Sequence, residues 1–246
     1  MIVLAIDTTA KTATAAITQN ENLIALTVLN TPNTHSVTLL PMIDQLLCGA
    51  GLEVKDVDLF VTSAGPGSFT GVRIGAAAIK GLAFSSNKPC VGVSSLEALA
   101  LNVTEQDGIV CPVMDARRNQ LYNALFKYEN GELKRLTPDR VLSAGELAAE
   151  LSGNDEAVYL SGDGSDIAKR ALDTKTVKFP HEALKYHNAY NVALLGYREY
   201  VNATHQDKEG YTAEKLSPVY LRMSQAERER LEKIEKDNKN NIKDGK

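Results

Sequence analysis

The chain has 246 residues, 43% of them hydrophobic and 24% charged, with a net charge of −4 and a pI near 5.7. That length allows one large or two small globular units with a real core, and the acidic balance argues against a protein that grips nucleic acid through a global basic field. Cys48, Cys90 and Cys111 are widely spaced, odd in number and set among apolar residues, so they read as reduced core thiols and not as a disulfide framework or zinc site. No apolar run approaches the ~20 residues that span a bilayer, and the first residues lack the basic flank of a signal segment. The expectation is a cytoplasmic chain with no membrane partner.

Residues 2–6 read as a short apolar strand ending in Asp7-Thr8-Thr9, followed by strands over 12–18 and 23–29 with short polar turns between them, an antiparallel meander. Asp7 could contact a metal-bound phosphate, or Asp and Thr there only hydrogen-bond the turn backbone. Thr31-Pro32-Asn33-Thr34 breaks the chain before a helix over 36–47, which Gly51 ends. Leu39, Leu40, Met42, Ile43, Leu46, Leu47 and Ala50 spread over an arc of about 160° on that helix, wider than the ~100° one core face needs. Such a helix serves a core and a partner together, or is buried on all sides.

The central stretch runs from Ser63 to Gly81. A buried strand over 57–62 enters a turn dense in glycine and proline, Gly65-Pro66-Gly67-Ser68-Phe69-Thr70-Gly71, and a helix follows until Asn87-Lys88-Pro89. A strand, glycine turn and helix start suits an anion or a close-packed neighbour. Val72-Arg73 after Gly71 excludes an ordinary P-loop, and the glycine spacing is one residue too long for a Rossmann fingerprint. Gly71, Gly75 and Ala78 fall at i, i+4 and i+7, so one helix face is nearly bare and lets another backbone approach, from this chain or from another. Arg73 and Lys80 are expected near solvent.

A strand over 90–93 and a capped helix from Ser94 to about residue 101 complete a first unit whose element order is that of the actin-like, ribonuclease-H-like fold. A second unit starts again with a strand ending in aspartate, 109–115. It continues with a strand over 121–128, an extended run over 134–141, a helix over 143–151 boxed by Ser143 and Glu146, and a strand over 158–160 leading to Asp163. A further helix, a strand over 176–179 and a long helix from about 188 to 203 close it. The chain therefore divides into an N-terminal lobe, 1–107, a C-terminal lobe, 108–222, and a charged tail, 223–246, expected to be partly disordered.

The catalytic search yields little. There is no H-E-x-x-H, no cysteine pair and no G-x-S-x-G elbow, and His181 and His187 stand six apart with no set of acidic residues spaced around them as a catalytic or metal site needs. Asp7, Asp115 and Asp163 each sit at a strand end, where a two-lobed actin-like protein places phosphate or metal contacts and where turn-forming aspartates are also common.

With these residues in view the chain resembles the TsaB (YeaZ-type) family. The resemblance is carried by residues 4–8, His35-Ser36 with Leu40-Pro41-Met42, Gly65 to Gly75, Gly92-Val93-Ser94-Ser95-Leu96, Asp115-Ala116-Arg117 and Pro218 to Arg222. It covers residues 2–222. It implies a two-lobed α/β protein of actin-like architecture, with mixed sheets flanked by helices. The implied role is a non-catalytic scaffold and activator of TsaD, which transfers threonylcarbamoyl to N6 of adenosine 37 in tRNAs reading codons that begin with A. TsaE is an implied further partner, tRNA is met only through the complex, and a homodimer through the N-lobe helices is expected when the chain is alone. No cofactor of its own is implied, with ATP or ADP at the complex interface as an option. By matching, the docking surface comprises His35, Ser36, Leu39, Leu40, Met42, Ile43, Leu46 and Leu47 on one helix and Gly71, Arg73, Ile74, Gly75 and Ala78 on the next. Asp7, Gly65, Gly67, Ser68 and Thr70 are candidate vestigial nucleotide contacts, with no catalytic or metal residue. On this reading Gly75→Arg abolishes docking and leaves the fold largely intact.

Overall fold

The computed structural model describes residues 1–223 apart from 105, 154, 173–175 and 180; the charged tail expected beyond Met223 lies outside the described residues. In the first lobe β1 (Ile2–Asp7), β2 (Ala13–Gln19) and β3 (Asn22–Leu29) form the expected meander, and α1 (His35–Ala50) leads to β4 (Leu59–Gly65). Next come α2 (Phe69–Ser86), β5 (Cys90–Ser94) and α3 (Ser95–Ala100). The sheet order is β3-β2-β1-β4-β5, with β4 and β5 parallel to β1 and the meander antiparallel. Gly51 ends α1 in the left-handed conformation that glycine adopts without strain.

The period of two along the strands divides the core. Leu4, Ile6 and Phe60 face α1 and α2, where they meet Leu39, Met42, Ile43, Leu46, Ile79 and Ala83. Val3, Ala5, Leu59 and Val61 face the other way, onto Val192 and Ala193 of α6 (Ala189–Asn202).

The second sheet repeats the pattern with β6 (Ile109–Asp115) at its centre. Around it lie β7 (Gln120–Asn123), β10 (Arg140–Ser143), β11 (Val158–Ser161) and β12 (Val177–Lys178), in the order β10-β7-β6-β11-β12. The strand expected over 121–128 is broken into β7 and β8 (Phe126–Glu129), and β9 (Glu132–Arg135) pairs with β8. The cause lies opposite. Pro112 has no N–H to give the ladder, and β6 pairs with β7 only from Val113 onward and with β8 only up to Val110. Asn123 bridges the gap, its Nδ2 donating to the Pro112 carbonyl at 3.0 Å. The expected capping box holds: α4 (Ala144–Leu151) starts at Ser143, whose hydroxyl accepts from the Glu146 N–H while Glu146 accepts from the Ser143 N–H. With α5 (Ser165–Lys169), α4 covers one face of this sheet, and α3 packs between the sheets, sending Leu96 and Leu99 to one and Ala98 to the other.

The helix over 188–203 does not close the second unit. It crosses back as α6 onto the first sheet, packing on β1, β2, β4 and β5. After α7 (His205–Lys208), the chain stays on the first lobe: Cys90 N–H donates to the Tyr211 carbonyl, Leu216 enters the first core, and Val219 N–H donates to Ala64 O. A boundary assigning all of 108–222 to the second lobe therefore does not follow the packing. A Cβ on Gly196 of α6 would lie 2.6 Å from Val61 Cγ2, closer than any real contact. Among the described residues no helix is long and apolar enough to cross a membrane.

Gly196→Ala should lower stability by about 1–3 kcal/mol through this overpacking, whereas Gly49→Ala, at a helical position with open space around it, should raise it by about 0.5–1 kcal/mol. Urea unfolding of the two variants checks both signs.

Candidate functional site

The glycine-rich turn is wedged against the β1–β2 turn. Gly65 has φ +123°, and a side chain there would strike the Val219 carbonyl. A Cβ on Gly71 would collide with the Thr8 carbonyl, and one on Gly75 would lie 2.6 Å from Thr8 Oγ1 and 3.1 Å from Thr62 Oγ1. Hydrogen bonds fix the approach: Thr8 Oγ1 donates to Gly71 O at 2.7 Å, Ser68 N–H donates to Thr9 O at 2.7 Å, and Ser95 Oγ donates to Pro66 O. The bare face of α2 thus meets this chain's own sheet. Gly71 and Gly75 do not belong to a docking surface, and the expectation for Gly75→Arg is reversed, because arginine there has no room inside the fold.

The residues matched to docking on α1 divide similarly. Leu39, Met42, Ile43, Leu46 and Leu47 are buried in the chain's own core, and Ile74 and Ala78 of α2 are half-buried against it. For the five buried side chains of α1 this is a correction too, because a side chain committed to the internal core cannot meet a partner, whereas Ile74 and Ala78 keep part of their surface outward. His35 is half-buried and its Nε2–H donates to Ala10 O at 2.8 Å, while Ser36, Leu40 and Arg73 are exposed. Alongside Leu40, which the sequence did single out, several outward-facing residues were missed by sequence reasoning. Val37 (67% exposed), Leu40 (55%) and Cys48 lie on α1; Ala77, Gly81 and Phe84 (77%) lie on the adjoining α2. Nothing lies within 4 Å of a Cβ built on Gly81. A glycine inside a helix costs about 1 kcal/mol against alanine, and no contact within this chain offsets it.

Asp7 is not open to a nucleotide. It is fully buried, and its carboxylate accepts from Thr9 N–H and Thr9 Oγ1 at 2.7 Å, from Ser63 Oγ at 2.5 Å and from His187 Nδ1 at 2.8 Å. His187 therefore does have an acidic partner, 180 residues away in sequence. Burial alone pushes the Asp7 carboxyl up, but the His187 charge and these hydrogen bonds outweigh it and hold it below the ordinary value. Burial pushes His187 down, and Asp7 and the Asp163 charge outweigh that, holding it above. The trio is no catalytic triad. The carboxylate lies between hydroxyl and imidazole, where a triad places the imidazole in the middle, and all three groups are buried. Its geometry pins the approach to α6 onto β1, helped by Ala189 N–H donating to Thr14 Oγ1.

Between the lobes lies a cleft of about 710 Å³. Gly67, Ser68 and Thr70 line it from the first lobe and Asp115 and Asp163 from the second, while Gly65 is packed away behind it. Asp115 Oδ1 accepts from Arg117 N–H at 2.7 Å, and Asp163 Oδ1 accepts from Asp115 N–H at 3.1 Å, so both carboxylates hold the β6–β7 turn. Among the described residues no three His, Cys, Asp or Glu side chains are grouped to hold a metal ion.

Comparison with known proteins adds four relations. Residues 30–230 match the family model described as TsaD: tRNA N6-adenosine threonylcarbamoyltransferase. A Bacillus subtilis (strain 168) protein named tRNA threonylcarbamoyladenosine biosynthesis protein TsaB is 33% identical over 235 residues, spanning 94% of this chain and 99% of its own length. A crystal structure from Pseudomonas aeruginosa, described as an uncharacterized protein with similarity to peptidase YEAZ, matches with a TM-score of 0.75 at 28% identity, over 90% of this chain and 99% of its own. Component A of the Acidaminococcus fermentans (R)-2-hydroxyglutaryl-CoA dehydratase, at 11% identity and a TM-score of 0.51 over 82% of this chain and 100% of its own, shares the fold alone.

Removing one member of the buried pair leaves the other uncompensated, so Asp7→Asn should cost about 3–5 kcal/mol. The depressed carboxyl stabilises the fold above its ordinary value of 3.8 and loses that contribution as pH falls through its native pKa; the raised imidazole stabilises below 6.5 and loses it as pH rises through its native pKa. The gap in melting temperature between wild type and Asp7→Asn should therefore be widest between 3.8 and 6.5 and shrink on either side. A gap constant from acid to alkaline pH would show that the pair is not charged.

Proposed function

The chain belongs to the TsaB family, and from that membership we propose that it is the non-catalytic scaffold and activating subunit of a TsaD-type transferase forming N6-threonylcarbamoyladenosine in tRNA. The observation that carries the reading is the outer face of α1 and α2. Val37 and Leu40 stand largely in water in the first turns of α1 and Phe84 in the last turns of α2, where Gly81, one turn before it, gives a partner backbone room to approach. Each large apolar side chain gains roughly 1.5–3 kcal/mol on full burial, and an exposed patch of this kind marks an interaction surface. The match of residues 30–230 to a model described for the transferase itself supports pairing between two chains of related fold.

The chemistry falls to the partner because the groups here are committed to structure. Asp7, Ser63 and His187 are closed inside the fold, and Cys90 and Cys111 are buried thiols pushed up to about 11 and about 12, where little thiolate exists at neutral pH. A homodimer through the same face when the partner is missing, TsaE as a further subunit, and ATP or ADP at the complex interface belong to the same proposal.

The test is transfer to tRNA by the cognate TsaD-type enzyme with the threonylcarbamoyl adenylate supplied. Wild-type chain should stimulate transfer and show none alone. Gly81→Arg and Phe84→Asp should lose both stimulation and co-elution with the enzyme while unfolding at the wild-type temperature. Full stimulation by both variants would remove the α1–α2 face from the account, and transfer by the chain alone would overturn the scaffold reading.

A further inference from the structure

We propose that the mouth of the interlobe cleft is a contact surface for the phosphate backbone of RNA, with Lys11, Arg73 and Arg117 as its phosphate ligands. The inference extends the preceding reading, which brings RNA to the assembly through the partner, and it rests on that reading for the kind of RNA involved. In a chain of net charge −4, the cleft is lined by Lys11, Arg73, Arg117 and Arg222 against two carboxylates, Asp115 and Asp163. Exposed Arg118 adjoins Arg117. Elsewhere many cations are ion-paired, Arg135 with Glu97 and Asp139, Arg140 with Glu150, Arg198 with Glu21. Among the described residues Lys11, Arg73, Arg117 and Arg118 lie in no such pair.

Their presentation is built into the fold. Arg117, Arg118 and Asn119 are three successive non-glycine residues with φ of 66°, 54° and 59°, a conformation that side chains rarely adopt and that persists only where the surroundings hold it. Here Asp115 Oδ1 takes the Arg117 N–H, and Arg222 donates to the Ala116 and Arg117 carbonyls. Across the cleft the Arg73 guanidinium lies 4.0 Å over the Phe69 ring, and its Nε–H donates to Tyr220 Oη at 2.7 Å. Phe69 and Tyr220 stack at 4.6 Å with 30° between their planes. One edge of the guanidinium is thus fixed by Tyr220. Planar guanidinium beside aromatic rings, with cations along the rim, is the equipment of single-stranded nucleic-acid surfaces. An acidic protein would satisfy the charge and offer nothing planar to the part of the Tyr220 ring that stays in water, 39% of the residue.

The test is a fluorescence-anisotropy titration of unmodified tRNA with the full chain alone and with its assembly with the transferase, at about 50 and about 200 mM salt. The double variant Lys11→Gln/Arg117→Asn removes two charges, and asparagine tolerates the left-handed backbone at 117. At the lower salt it should bind at least about tenfold more weakly, with the logarithmic salt slope reduced by about 1.5. Lys215→Gln, an exposed cation on another surface, should bind as wild type does. Equal affinity and slope for the double variant in both titrations would overturn the proposal. So would polyglutamate displacing wild-type chain as effectively as unlabelled tRNA, which would assign the surface to an acidic protein. Co-elution of wild-type chain with the transferase is scored separately: its failure would count against the scaffold reading, while the titration of the chain alone still decides the RNA contact.

Discussion

The close approach of α2 to the β1–β2 turn is the constraint on which the rest of the molecule depends. With Thr8 donating to the Gly71 carbonyl and its hydroxyl 2.6 Å from where a Gly75 side chain would begin, the helix lies nearly in contact with the strand-end backbone. Dispersion at that distance replaces the side chains the helix lacks. The same approach orients everything around it. It sets the first turn of α2, and with it Phe69 and Arg73, at the cleft, and it leaves Gly81 and Phe84, in the last turns of α2, turned to water, as Val37 and Leu40 are in the first turns of α1.

A second set of contacts ties chain ends to that framework. The buried Asp7–His187 pair holds the approach to α6 against β1, and the segment after α7 runs back along the first lobe until Tyr220 stacks on Phe69 and Arg222 reaches the β6–β7 turn. Actin-like folds commonly use the space between lobes for chemistry. Here the aspartate at the end of the first strand is closed off by Thr9, Ser63 and His187, and the aspartates of the second lobe hold backbone N–H groups of their own turn. The fold is retained while its ionisable groups serve the fold itself, which leaves its surfaces to carry function.

Most strands and helices were legible from sequence because their signals are local: the continuous apolar runs of β1 and β4, the Ser143–Glu146 box at α4, Gly51 and Asn87 as left-handed helix ends. The repeated order of elements likewise pointed to the actin-like architecture that both sheets have. What failed was directional. Composition shows that Gly71, Gly75 and Ala78 make a bare face, and it cannot say whether that face meets a partner or the chain's own turn. The wide apolar arc on α1 is room for a core and a partner together, but its width cannot say which side chains go where: five fill the core, while Leu40, with Val37 beside it on the helix, faces out. Pairings across long sequence separation, Asp7 with His187 and α6 with the first sheet, leave no periodic trace at all. Gly81 carried a usable signal, being a helix-interior glycine out of phase with the buried ones.

The central claim, that the outer face of α1 and α2 is where a partner seats, can be read directly from Cys48. It lies exposed on that face, while Cys90 and Cys111, the only other cysteines in the chain, are buried. The decisive measurement is the rate of Cys48 alkylation in the free chain and in its assembly with the TsaD-type transferase. The account predicts fast labelling of the free chain and strong protection in the assembly, with the other two thiols unreactive in both. An assembly that forms fully while Cys48 labels at the free-chain rate would contradict it.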